Sequence, residues 1–278
     1  MIRRLLLDRL ILEPSRDPIE PEAGLERHPL SWDRRQAELY CYRQTSGGIS
    51  GVDTANESSP NGATKLRWPR GLAVIKFPGT AGRCERMGTQ PLTQWPEQDG
   101  LVVGVNPPGY GSTSRHATLR DSRALNEALE HWLGEHAVGQ GRLLIGNSLG
   151  CVRALAFANR FPCDAMILRN PPPLPQLLEI FARRRRAAWV GRWLARGLSS
   201  DWDAIELASH IRVPTLLVQS ELDSLVLTEW QDRIYDRLAG PKRKLVLKKC
   251  DHADPIPEDQ AGAYRELVEW VVGAGTDY

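Results

Sequence analysis

The sequence predicts an α/β domain with a mostly parallel central sheet, helices on both faces and a helical cap inserted late in the chain. Three observations carry this expectation. Short β-rich apolar runs recur, longer segments of helical spacing alternate with them, and one long stretch rich in Leu, Trp and Arg interrupts the rhythm. The runs lie at 72–77, 101–105, 143–145, 165–168, 215–218 and 245–247. Each is mostly apolar on both faces and bounded by Gly, Pro or charge, as a strand buried between two helical layers is. Between them, four sets of apolar residues share a helical face: Leu125, Ala128, Leu129 and Trp132; Val152, Ala156 and Phe157; Trp230, Ile234 and Leu238; and Tyr264, Leu267 and Val271. Strands alternating with such helices build a parallel sheet covered on both sides.

The remaining segments fall around this frame. Residues 5–12 and 39–42 are expected to add antiparallel edge strands, and 46–63, rich in Gly, Ser and Asn without apolar period, a long mobile loop. Residues 171–210 open with Pro171, Pro172 and Pro173 and run through Arg183 to Arg186. That is too long for an ordinary connection and too rich in Leu and Trp for disorder, so a helical cap is expected there.

Composition bounds the function classes. The chain has 278 residues, 41% hydrophobic and 25% charged, a length that buries a core without staples, so 1–278 is expected to be one domain. Thirty-six basic against thirty-four acidic side chains provide no field for nucleic acid. Cys41, Cys84, Cys151, Cys163 and Cys250 are scattered, with no CxxC pair, which argues for reduced thiols, no structural metal and a cytoplasmic setting. The N-terminus carries only Leu5 to Leu7 before Asp8 interrupts, too short for a signal-peptide core, and no run of about 20 apolar residues offers a membrane span.

The sharpest chemical signal is Gly146-Asn147-Ser148-Leu149-Gly150, between the run at 143–145 and a helical pattern. A Gly-x-Ser-x-Gly turn between strand and helix holds its serine in a strained conformation above the sheet edge, where the helix N-terminus favours developing negative charge. The competing reading is a serine helix cap. A serine hydroxyl needs a base and the base an orienting acid, in the chain order Ser, acid, His. His252, in a loop after the run at 245–247, is the candidate base, and Asp223, after the run at 215–218, the candidate acid. Glu221 is a rival two residues earlier. His28, His116, His131, His136 and His210 lack that context. An anionic intermediate needs two donors, expected from the backbone N–H groups of Leu149 and of Thr80 in the loop Pro78-Gly79-Thr80-Ala81-Gly82.

Taken in order, FPGTAG (77–82), NPPGYGSTS (106–114), GNSLG (146–150), ELD (221–223) and CDH (250–252) resemble the α/β-hydrolase superfamily. The likeness is to its serine-hydrolase branch of BEM46-like and prolyl-peptidase-like proteins. The resemblance runs from about Phe77 to the C-terminus and implies a triad of Ser148, Asp223 and His252 with Thr80 and Leu149 at the oxyanion. Relatives that are haloalkane dehalogenases or epoxide hydrolases carry aspartate at the elbow, and this chain carries Ser148. It departs from the pattern at Pro78-Gly79, where His-Gly is usual, and at Asp251-His252, where Gly-His is usual. The first seventy residues match poorly.

From Pro173 to Ser200, within the cap, six arginines stand against Glu179, interleaved with Leu177, Leu178, Phe181, Trp189, Trp193 and Leu194. An apolar side lining an acyl pocket and arginines favouring anionic substrates or an anionic membrane surface are one expectation, but a solvated charged face is favoured. The expected activity is hydrolysis of an ester, thioester or amide of a small or acyl-chain substrate, with no cofactor and no metal. The alternative is a non-catalytic ligand-binding receptor on the same fold.

Overall fold

The computed structural model describes residues 2–46, 68, 71–112 and 116–276. An eight-stranded sheet runs in the order β1 (Glu26–Trp32), β2 (Arg35–Gln44), β4 (Gly100–Asn106), β3 (Leu72–Phe77), β5 (Gly141–Asn147), β6 (Ala165–Arg169), β7 (Thr215–Ser220) and β8 (Lys242–Leu247). From β4 to β8 the pairs are parallel, while β1 and β2 add an antiparallel edge. All six expected runs are strands. The chain order reverses between β3 and β5, and in open sheets ligands bind outside the carboxyl ends at such a switch.

Alternation within the strands divides the core. Ala73, Ile75 and Phe77 of β3 face one side with α2 (Ser122–His136) and α3 (Leu149–Ala158). Leu72 and Val74 face the other, against α8 (Glu258–Thr276) through Val268, Val271 and Val272. The segment joining β3 to β4 forms two 3-10 turns, Cys84–Arg86 and Leu92–Gln94, and no α-helix, so helical cover on the α8 side is incomplete. Between β6 and β7 lie α4 (Leu174–Arg184), α5 (Ala188–Ala195), a 3-10 turn and α6 (Ala204–Ala208), before α7 (Thr228–Arg237) follows β7.

The expected edge strand at 5–12 is instead a helix, α1 (Ile2–Ile11). Leu and Arg are strong helix formers, and Leu7 and Ile11, four residues apart, share the face that enters the core. The missing edge strand is β1. Its Pro29 is tolerated because an edge strand leaves one side unpaired, and Asp33 (φ 40°) with Arg34 (φ 62°) makes the two-residue hairpin turn to β2. Of the expected loop at 46–63, all but Ser46 lies outside the described residues. In the cap, Leu177 and Leu194 are buried, but Phe181, Trp189 and Trp193 are exposed rather than enclosed as pocket lining. All five cysteines are free thiols. Among the described residues no helix is long and apolar enough to cross a membrane.

Candidate active site

Ser148 stands in the turn between β5 and α3 with φ 50° and ψ −121°, a conformation that costs an L-residue energy and is kept only where surroundings impose it. The imposition comes from close packing. A Cβ on Gly146 would sit 2.5 Å from Cys151 Cα, and one on Gly150 only 1.8 Å from the Phe77 carbonyl oxygen. The Ser148 side chain makes no helix-cap hydrogen bond, so the capping alternative is not what the turn does. Its Oγ lies 2.9 Å from His252 Nε2 instead.

The other imidazole nitrogen, Nδ1, is 2.8 Å from Asp223 Oδ2. The Asp223 side chain is fully enclosed, and the imidazole is 12% exposed. Asp223 Oδ1 accepts from the N–H groups of Leu225 (3.0 Å) and Val226 (2.7 Å), and Oδ2 also accepts from Gln231 Nε2 (2.9 Å). These bonds compensate a buried carboxylate and fix which oxygen faces the imidazole. The structure thus brings Ser148, His252 and Asp223 into one chain of hydrogen bonds. Glu221 turns away, accepting from Lys248 Nζ and the Lys249 N–H, both at 2.9 Å.

Thr80 and Ala81 occupy the centre of a turn closed by Gly82 N–H donating to the Gly79 carbonyl at 3.0 Å, with Ala81 at φ 58°. The Thr80 N–H takes no part in that closure. Leu149 opens α3, where an N–H has no intrahelical acceptor. A Cβ on Gly79 would meet Ser148 Cβ at 3.2 Å and the Asn147 carbonyl at 3.0 Å, so this loop lies directly against the nucleophile turn.

Three bracing residues are not evident from sequence alone. The phenolic oxygen of Tyr110, in the NPPGYG segment, accepts from the backbone of Ala81 and Glu13, bracing the loop that lacks the usual histidine. Asn170, fully buried at φ 49°, donates to Ser220 Oγ and the His252 carbonyl, both at 3.0 Å, and accepts from Ser220 N–H at 2.8 Å. It ties the ends of β6 and β7 to the histidine loop. Gln231, also fully buried, holds Asp223 and the Val226 carbonyl together. For Asn170 and Gln231 the only sequence hint is a polar residue within or beside an apolar run, whereas Tyr110 lies in the motif NPPGYGSTS. Asp251 accepts from the N–H groups of Ser224 (2.8 Å) and His252 (2.7 Å), and these bonds hold its carboxyl below the usual range.

Lys76 is the anomalous charge of the apolar strand β3. Its Nζ donates to the carbonyls of Met87 (2.6 Å) and Gly88 (3.0 Å), and burial pushes its pKa down from 10.5 to about 8. Below about pH 8 the ammonium exists in folded and unfolded chains alike, and the folded state bears the whole desolvation cost, on the order of 3 kcal/mol. Between about 8 and 10.5 only the unfolded chain holds the proton, so stability rises with pH there. Accordingly, in urea unfolding the advantage of Lys76→Met over the native chain is expected to shrink as pH rises through that window. A pH-independent difference would contradict this.

Among the described residues, Glu26, His28 and Cys41 on the β1–β2 hairpin place potential metal-ligand atoms within 4.8 Å of one another, remote in sequence from the elbow. His28 Nε2 already faces the Glu26 carboxylate at 3.5 Å.

No protein-family model matches the chain. An uncharacterized protein of Mycobacterium tuberculosis, found in strains CDC 1551 / Oshkosh and H37Rv, is 29% identical over 149 residues, 53% of this chain and 51% of the relative. The match therefore spans about half the length of the curated relative. Among solved structures, a Pyrococcus furiosus esterase superposes with TM-score 0.65 at 14% identity, over 95% of this chain and 98% of that one. The chain has the α/β-hydrolase fold. An alpha-beta serine hydrolase homologue from Coxiella burnetii (TM-score 0.52, 17% identity, 92% and 98% covered) shares it. An acylaminoacyl peptidase (0.60, 14%) matches over 88% of this chain and 41% of its own. At these identities the likeness concerns the fold. Within the α/β-hydrolase fold, Ser148 occupies the strand-to-helix turn after β5, and Asp223 and His252 follow β7 and β8.

Proposed function

We propose that this chain is a serine hydrolase that cleaves an ester, thioester or amide through an acyl-enzyme. One observation carries the reading: the His252 ring bridges Ser148 Oγ at 2.9 Å and Asp223 Oδ2 at 2.8 Å. Ser148 Oγ attacks the acyl carbon as His252 Nε2 takes its proton. The C–O pair of the substrate carbonyl moves onto oxygen, and the resulting oxyanion accepts from the Thr80 and Leu149 N–H groups. Collapse expels the leaving group, which receives the proton from His252. Water then attacks the acyl-serine with His252 again as base, releasing the acid and restoring Ser148. Asp223 holds Nδ1–H, so that Nε2 presents its lone pair, and stabilises the imidazolium. The likeness of the NPPGYG segment to BEM46-like and prolyl-peptidase-like proteins supports acyl transfer at this site.

The test is covalent capture. A fluorophosphonate probe is expected to add its phosphonyl group to Ser148, read as a mass increase on the peptide spanning the elbow. Absence of the adduct, together with no turnover of activated esters, would overturn the reading and favour a ligand receptor.

A further inference from the structure

A cavity of about 780 Å³ opens beside the elbow on the side of the sheet that α8 covers only in part. Gly79 and Asn147, which pack against Ser148, form part of its wall. Its size suits a small organic ligand. Ile145, Ile167 and Val218 give it an apolar floor, one from each of three adjacent strands. Lys76, Arg169 and Tyr264 give it donors.

The charges there are poorly compensated. Arg169 donates to the Asp254 carbonyl, but its Nε is buried without a hydrogen-bond partner among the described residues. Lys76 has only carbonyl partners, with Glu22 acting on it from beyond ion-pair range. Arg83 is also in the wall but is already paired with Glu85. Arg86 and Asp17 are both exposed members of the wall, and Lys76 and Arg169, which have no carboxylate hydrogen-bonded to them, contribute positive charge to it. Both side chains are half-buried, and a half-buried cation without a carboxylate partner is left poorly compensated unless an anion reaches it.

We propose that this cavity binds an organic anion, a carboxylate on a short apolar chain, and that in the hydrolytic reaction this anion is part of the substrate. The second half of the proposal rests on the serine-hydrolase reading. The methylene chain lies on Ile145, Ile167 and Val218, and the carboxylate accepts from Arg169 and the Tyr264 hydroxyl while Lys76 adds charge. A guanidinium suits this task because its planar donors match a carboxylate.

Two p-nitrophenyl esters of equal chain length separate the outcomes: the hexanoate, which is neutral, and the mono-ester of adipic acid, which ends in a carboxylate. The native chain is expected to favour the adipate ester by about tenfold or more in kcat/KM, and Arg169→Gln to erase that ratio. Tyr264→Phe, a milder change, is expected to reduce it. In parallel, free adipate is expected to raise the melting temperature of Ser148→Ala, and not of the Ser148→Ala/Arg169→Gln double variant. A ratio near one or favouring hexanoate, with no adipate-induced shift, overturns the proposal while ester turnover leaves the hydrolase reading standing. An adipate shift that depends on Arg169, in a chain that hydrolyses neither ester and takes no fluorophosphonate, supports the anion site and assigns it to a free carboxylate.

Discussion

Replacing Ser148 with alanine is expected to lower kcat for an activated short-chain ester by on the order of a millionfold, with little change in KM or stability. The loss is large because the three side chains act as a unit. Without Oγ there is no atom for the acyl group to bond to, and the His252–Asp223 pair has no proton to move. Stability should hold because alanine retains the Cβ, and the positive φ of 50° is imposed by the packing of Gly146 and Gly150 rather than by the hydroxyl. The measurement is steady-state turnover beside a thermal melt. Undiminished turnover in a well-folded Ser148→Ala chain would remove Ser148 from the chemistry.

Gly150→Ala is expected to be among the most damaging single methyl additions in the molecule. Its new carbon would lie 1.8 Å from the Phe77 carbonyl oxygen, 2.5 Å from the Phe77 carbonyl carbon and 2.7 Å from the Pro78 oxygen. These are backbone atoms, which cannot rotate aside, so β3 or α3 must move. Overpacking of this kind costs about 3 kcal/mol or more, and in a chain of this length each kcal/mol lowers Tm by roughly 2–4 °C. Because Phe77 and Pro78 lead into the turn at Gly79 and Thr80, activity should fall further than the lost folded fraction explains. Near-native Tm and kcat in Gly150→Ala would show that the elbow is looser than its contacts imply. Gly134, whose added Cβ would meet nothing within 4 Å, is the matched control.

Much of the fold is legible in the residues because its core strands are short apolar runs punctuated by Gly, Pro and charge. All six strands from β3 to β8 lie where such runs lie, and α2, α3, α7 and α8 where the apolar spacing is helical. The N-terminal part is less legible for specific reasons. In α1 the run Leu5-Leu6-Leu7 imitates a strand, and its helical pairing of Leu7 with Ile11 matters only once a core exists to receive it. In β1 Pro29 and charged residues hide a strand that needs only one neighbour. The cap aromatics Trp189 and Phe181 look like pocket lining by type, yet their helices pack through Leu177 and Leu194.

The sequence alone singled out the candidate nucleophile Ser148, the candidate base His252, a candidate acid at Asp223 with Glu221 as rival, and their order. A serine between two glycines at a strand-to-helix turn is a local steric requirement, and a local requirement is written in adjacent residues. Only the tertiary structure decided between Asp223 and Glu221, since that choice turns on which carboxylate the α7 residue Gln231 and the loop at Leu225 and Val226 can enclose. It likewise decided where Asn170 and Tyr110 lie and that Lys76 and Arg169 line one cavity. Those contacts join segments tens of residues apart, and which strands become neighbours is settled by packing the whole chain.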